Sequence, residues 1–223
     1  MKVQSPPYVP RLTLFREWLR KHRGLNFSGY QELWQWSVTD IENFWESIWQ
    51  YAQIISPTPY QQVLSSRKMP GAKWFEGAQV NYAQQVFRHV EPADRAGMPA
   101  IIARGEKSKD QIITWPQLRH QVALFAERLI ELGVKPGDRV AAYLPNIPET
   151  IMAFLGTVSV GGVWSVCAPD MGTAAVLDRF RQIKPKILVA CSSVTHGGKD
   201  YDRRDVVREI VQELPSLTHT IVV

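Results

Sequence analysis

The sequence predicts an α/β protein: a doubly wound, mostly parallel sheet, incomplete at its carboxyl-terminal end and preceded by an α-helical amino-terminal extension. Three observations lead there. From residue 100 onward, short apolar runs alternate with longer amphipathic stretches, the rhythm of βαβ units. Those runs lack polar alternation, as strands of a parallel sheet covered on both faces do, and right-handed crossovers follow from such units. Before residue 90 the periodicity is helical, and six of the eight tryptophans fall there, from Trp18 to Trp74.

The extension reads as short helices joined by irregular segments. The spacing predicts a helix over residues 11–23, closed by Gly24. Ser28 and Gln31 have capping-box spacing for a short second helix, and Thr39 and Glu42 repeat that signature ahead of a third. Behind it Ile41, Phe44, Trp45, Ile48, Trp49, Ala52 and Ile55 recur at three- and four-residue steps until Pro57 and Pro59 end the run. Such a stripe packs on a neighbour. A base-stacking surface would interleave lysines and arginines, and residues 39–55 contain neither. A further short helix is expected over 81–90, then a polar linker over 91–99, where the organisational boundary is placed.

In the second part, residues 100–103 and 111–113 read as a small hairpin. Thr114, with Gln117 as its box partner and Pro116 in the first turn, opens a helix that buries Leu118, Val122, Phe125, Leu129 and Leu132 and closes at Gly133. Residues 140–144 form an unbroken apolar strand, and the run from Asn146 to Glu149 caps a helix to about Val160. Strands are then expected at 163–167 and 186–191, helices at 173–182 and 202–214, and a last strand opens at Thr220. Val206, Val207, Ile210, Val211 and Leu214 are the inward residues of the 202–214 helix. The chain stops within that expected last strand, so a fragment is expected.

Composition narrows the function classes. The chain has 223 residues, 45% hydrophobic and 21% charged, so it is globular rather than disordered. A net charge of +5 is mild and scattered, a weak pointer to an anionic small molecule and not to nucleic acid. Cys167 and Cys191 are the only cysteines, each in an apolar run, which predicts buried thiols in a reducing compartment. Residues 1–7 show no secretory leader, and the greasy stretch at 151–166, broken by Gly156, Gly161 and Gly162, is too short to span a bilayer. A cytoplasmic location without membrane insertion is expected.

No strong catalytic motif is present: neither a Walker loop, a dinucleotide fingerprint, a zinc-protease motif, a nucleophile elbow nor a CxxC pair. The five histidines do not pair with acids or cysteines at ligand spacing, so neither a metal site nor a catalytic residue is assigned. Two loops stand out because ligands of open α/β sheets sit beyond the carboxyl ends of strands. The first, Ala168-Pro169-Asp170-Met171-Gly172, is either a ligand-lining loop or a plain βα turn. The second, His196-Gly197-Gly198-Lys199, is either an anion-binding loop or a solvated one. Its Gly-Gly-Lys resembles the end of a phosphate loop without the first glycine or the hydroxyl.

Residues 73–223 resemble the acyl-adenylate-forming family. The family pattern is Leu132-Gly133-Val134-Lys135-Pro136-Gly137-Asp138-Arg139-Val140, followed by Leu144-Pro145-Asn146-Ile147-Pro148-Glu149. Within it, Lys73-Trp74-Phe75-Glu76-Gly77-Ala78-Gln79-Val80-Asn81-Tyr82-Ala83 is similar to a motif of the acetoacetyl-CoA synthetase branch. So are Gly162-Val163-Trp164-Ser165 through Cys167, Pro169-Asp170 and Gly172, and Val176-Leu177-Asp178-Arg179-Phe180. The region before Trp74 resembles the extension shared with acetyl- and propionyl-CoA synthetases.

The resemblance implies residues 1–90 as that helical extension and 91–223 as the first part of the AMP-binding domain, cut before the phosphate loop. It implies a ligase that activates acetoacetate with ATP and Mg2+ to acetoacetyl-AMP and pyrophosphate, then transfers the acyl group to coenzyme A. Adenylation turns a poor leaving oxygen into a good one, and magnesium and lysine charge steady the phosphoryl oxygens. The ATP and Mg2+ elements belong to the missing carboxyl-terminal portion, so this chain alone is expected to be inactive. What the resemblance leaves here is the coenzyme A side: Ala168, Pro169 and Asp170 lining the pantetheine channel, and Lys199 and His196 meeting the phosphorylated adenosine. His196 replaces an arginine of the acetyl enzymes and is mostly neutral at pH 7. An acetate or propionate ligase, or a non-catalytic binding module, are the alternatives.

Overall fold

A computed structural model describes residues 9–107 and 109–223, so the leader expectation for residues 1–7 lies outside the described residues. The chain divides into two compact units, Met1–Val80 and Asn81–Val223.

The first unit holds α1 (Arg11–Arg23), α2 (Tyr30–Thr39), α3 (Ile41–Tyr51) and a small antiparallel hairpin of β1 (Gln62–Leu64) and β2 (Trp74–Glu76). Gly24 ends α1 in the left-handed conformation at φ 66°, as the sequence predicts. Phe15, Leu19 and Leu33 form its core, with Trp18, Trp36, Phe44, Ile48 and Tyr51 packed around them. Trp49 stacks on Phe75 with ring centroids 4.5 Å apart. The aromatic stripe is therefore largely packing, but Trp45 stays 42% exposed and Ala52 and Ile55 lie beyond the helix.

Neither predicted capping box forms in this unit. Gly29, not Ser28, precedes α2, and the Ser28 N–H donates to Glu32 at 2.8 Å. Thr39 is the last residue of α2, so its hydroxyl donates back to the Gln35 carbonyl at 2.8 Å instead of capping α3. The sequence reading did not anticipate this hairpin, whose strands are three residues long.

The second unit begins with α4 (Tyr82–Phe87), capped by the Asn81 side chain, and α5 (Val90–Arg95), which occupies the segment expected to be a linker. The hairpin of β3 (Ile101–Ala103) and β4 (Gln111–Ile113) follows, with Ile101 opposite Ile113. Then α6 (Trp115–Glu131) opens on a complete capping box: Thr114 accepts from the Gln117 N–H, and the Gln117 side chain accepts from the Thr114 N–H at 2.9 Å. Next come β5 (Arg139–Tyr143), α7 (Pro148–Ser159), β6 (Val163–Cys167), α8 (Thr173–Ile183) and β7 (Ile187–Ala190). The chain continues through β8 (Ser193–His196), β9 (Lys199–Asp202), α9 (Arg204–Gln212) and β10 (His219–Val222). Asn146 does not cap α7, whose N-cap is Ile147 without a side-chain bond.

The main sheet has four parallel strands in the order β10-β7-β5-β6. Strand alternation sends Ala141 and Tyr143 of β5 to one face, where Val176, Leu177 and Phe180 of α8 and Ile210 of α9 cover them. Val140 and Ala142 face the other side, against Leu129 of α6 and Ala153 of α7. Both faces are thus covered, as the unbroken apolar runs require. On α9, which stops at Gln212, Ile210 is buried but Val211 is 36% exposed, on the flank of the inward row, and the buried Leu214 lies beyond the helix. At the amino end of the strands, Arg139 donates to the carbonyls of Ile183 and Lys184 at 2.7 and 3.0 Å, and Lys186 pairs with Asp138 at 3.1 Å. These bonds lock β5 beside the end of α8 and the start of β7. No helix among the described residues is long and apolar enough to cross a membrane.

The contact between α6 and α7 depends on Gly156, where an added Cβ would lie 2.7 Å from the Phe125 ring and 3.3 Å from the Ala126 nitrogen. Gly156→Val is expected to cost about 3 kcal/mol by overpacking. Thr114→Ala is expected to cost about 1 kcal/mol through the lost cap. Equilibrium urea unfolding checks both; an unchanged midpoint for Gly156→Val would contradict the close approach.

Candidate functional site

Because β5, β6 and β7 are parallel, their carboxyl ends share one edge, and both candidate loops leave from it on opposite flanks of β5. After β6 ends at Cys167 the chain turns tightly, the Met171 N–H donating to the Ala168 carbonyl at 3.1 Å. Pro169 is buried within this turn, whereas Ala168 and Asp170 are exposed. The turn is held from below by Tyr143, the last residue of β5 and 1% exposed. Its hydroxyl donates to the Pro169 carbonyl at 2.8 Å, with the Met171 carbonyl at 3.3 Å sharing the proton. Burial pushes the Tyr143 phenol up, so it stays a neutral donor.

The second loop is not a loose one. His196 and Lys199 close the antiparallel hairpin of β8 and β9, paired directly across a two-residue turn. Gly197 and Gly198 make that turn at φ 59° and 72°, a mirror-image geometry that other L residues adopt only with strain. The signal was legible: two glycines flanked by Val194, Thr195 and Tyr201 form a two-residue hairpin pattern. His196 and Lys199 are both exposed.

The turn already holds an anion. Gly197 and Gly198 donate their N–H groups to the two oxygens of Glu106, at 3.1 and 2.6 Å. Beside them Lys107 pairs with Asp200 at 2.8 Å, and Asp200 accepts from the Thr195 hydroxyl at 2.6 Å. The Gly198 amide foremost, then the Gly197 amide, hold the Glu106 carboxyl below its ordinary value, and the charges of His196 and Lys107 act in the same direction. Sequence reasoning did not find Glu106, which lies 91 residues from Gly197.

Arg203 was also missed. Its N–H donates to the Ser192 carbonyl at 2.8 Å, and its guanidinium sits 5.6 Å from the centre of the Tyr201 ring. Its charge opposes the upward push of burial on both Tyr143 and Cys191. The thiols of Cys167 and Cys191 are free, buried and pushed up by desolvation, the state of inert packing cysteines rather than nucleophiles. Trp164 packs partly buried against the core shared with α6 and α7, and His120 is exposed on α6. Among the described residues no three His, Cys, Asp or Glu side chains gather as a metal site would need. An open groove of about 500 Å³ beside β3 and the start of α7 is lined by Ile101, Ile102, Arg104, Ile147 and Ile151, and by none of the five candidate residues.

Tyr143, Cys167 and Cys191 all hold their protons more tightly folded than unfolded, so their contribution to stability is complete below the unfolded thiol value of 9.0. It is lost as pH rises through the raised folded values. Thermal melts are therefore expected to fall steadily above pH ~9. Tyr143→Phe is expected to cost about 1 kcal/mol and to speed amide exchange over residues 168–172. Exchange there unchanged from wild type would contradict the pin.

Two family models match the chain: "Acetyl-coenzyme A synthetase N-terminus" over residues 30–86 and "AMP-binding enzyme" over residues 89–223. Acetoacetyl-CoA synthetase of Xenopus tropicalis is 36% identical over 96% of this chain and 32% of its own length. Acetoacetyl-coenzyme A synthetase of Rhizobium meliloti is 34% identical, over 98% of this chain and 34% of its own. The solved structure of acetoacetyl-CoA synthetase from Streptomyces lividans superposes with a TM-score of 0.89 at 44% identity, over 95% of this chain and 33% of that one. The chain thus spans about a third of the length of the relatives it matches. With the AMP-binding model matched over residues 89–223 and a solved adenylate-forming structure superposing on the fold, the chain belongs to the AMP-binding, adenylate-forming enzymes.

Proposed function

We propose that the protein carrying this chain is an acid–thiol ligase that activates acetoacetate with ATP and Mg2+ through acetoacetyl-AMP and transfers the acyl group to coenzyme A. The reading is supported by the family match and by relatives that are themselves named acetoacetyl-CoA synthetases. The matches over 30–86 and 89–223 support dividing it into a helical extension, residues 1–90, and the first part of the adenylate-forming domain, residues 91–223. Adenylation is assigned to the remainder of the protein, and the chain alone is inactive in this reading. The two buried, free thiols fit a reducing, cytoplasmic setting.

The observation that carries this chain's own part is the hairpin turn that holds a carboxylate on two backbone amides between His196 and Lys199. Glu106 stands there as an anion in kind, so the donors fit a phosphate group, which backbone amides and a lysine recognise together. Lys199 supplies the permanent charge to the phosphorylated adenosine of coenzyme A, and His196 adds a ring donor. On the other flank, Ala168 and Asp170 present exposed backbone and side chain to the pantetheine arm. Pro169 shapes that wall through the carbonyl that Tyr143 holds.

Steady-state assays of the complete protein test the reading. Turnover with acetoacetate is expected to exceed that with acetate or propionate; a preference for either of the latter overturns the acyl assignment. Lys199→Ala is expected to raise KM for coenzyme A about tenfold, the scale of one charge-assisted bond, with KM for acetoacetate unchanged. An unmoved coenzyme A KM would contradict the role of the hairpin.

A further inference from the structure

We infer that Glu106 is an internal competitor at this hairpin: its carboxylate occupies the amide pair that a phosphomonoester would use, so a phosphorylated ligand binds there only by displacing it. The inference rests on the coenzyme A reading of His196 and Lys199. Four observations converge on it. The donors are two consecutive backbone amides whose positive φ angles aim them at one acceptor. The acceptor is a bidentate carboxylate from the distant β3–β4 loop, brought there beside the Lys107–Asp200 ion pair. His196 and Lys199 pair across the base of that turn, on either side of the two amides. All the groups are exposed, so the exchange of one anion for another needs no change in the core.

A neutral or singly charged ligand gains too little to displace a bound carboxylate from two amides. A phosphate dianion gains the amides and Lys199 together, and meets repulsion from Glu106 until that side chain swings away. Glu106 thereby lowers the affinity for the phosphorylated ligand and leaves a ligand without that phosphate unaffected. A bracing role, in which Glu106 merely stiffens the hairpin, predicts the opposite sign for its removal.

Isothermal titration of the complete protein with coenzyme A and with dephospho-coenzyme A separates these. Wild type is expected to prefer coenzyme A, Lys199→Ala to lose much of that preference, and Glu106→Gln to bind coenzyme A about fivefold more tightly, the scale of one nearby surface charge. Affinity for dephospho-coenzyme A is expected to stay the same in Glu106→Gln. Glu106→Ala, which also removes both acceptor oxygens, is expected to move in the same direction, and the Gly197 and Gly198 amides should exchange faster in both variants. Equal affinities of wild type for the two coenzymes would overturn the hairpin reading and the inference with it. A wild-type preference that Glu106→Gln leaves unchanged or weakens would overturn the inference alone.

Discussion

Strand β5 is the constraint against which the second unit is arranged. It is hydrogen-bonded on both edges, to β6 and β7, and from Val140 to Tyr143 no side chain is more than 1% exposed. A strand in that position tolerates no slip, because moving it by one residue would exchange Ala141 and Tyr143 with Val140 and Ala142 between two differently shaped cores. Arg139 fixes its start by binding the carbonyls at the end of α8. Tyr143 fixes its end, and in doing so passes the register of the sheet to the turn beyond β6.

That arrangement gives the two candidate loops different mechanical characters. The 168–172 turn is tied to the core by a buried hydroxyl and a buried proline, so its carbonyls keep fixed positions. The β8–β9 hairpin has no strand in the main sheet and is held by surface pairs: Glu106 on its amides and Lys107 on Asp200. Surface pairs of this kind exchange readily. In the proposed reading, a rigid wall for a thiol arm stands beside an exchangeable anion seat.

What could be read from the sequence was what local chemistry decides. Thr114, Pro116 and Gln117 specify the start of α6 within four residues, and the unbroken run at 140–144 specifies a strand buried on both sides. The same capping signature at Thr39 failed because Thr39 belongs to the helix before, and its hydroxyl was already committed to Gln35. The five candidate residues were found by their place after apolar strands and by family likeness. Their partners were not, since Tyr143 reads only as one more apolar strand residue and Glu106 only as one charge in a polar hairpin loop. Both act across long sequence separations, 26 residues from Tyr143 to Pro169 and 91 from Glu106 to Gly197. Arg203 was hidden the same way, one basic residue in a charged run until the fold set it over Tyr201.

The central claim is that the carboxyl edge on either side of β5 forms the coenzyme A side of the site. Amide hydrogen–deuterium exchange of the complete protein, with and without saturating coenzyme A, tests it most directly. The account predicts protection in this chain concentrated at residues 168–172 and 196–199. Protection confined to the groove beside β3 and the start of α7, or to the amino-terminal unit, with those two segments unchanged, would contradict it.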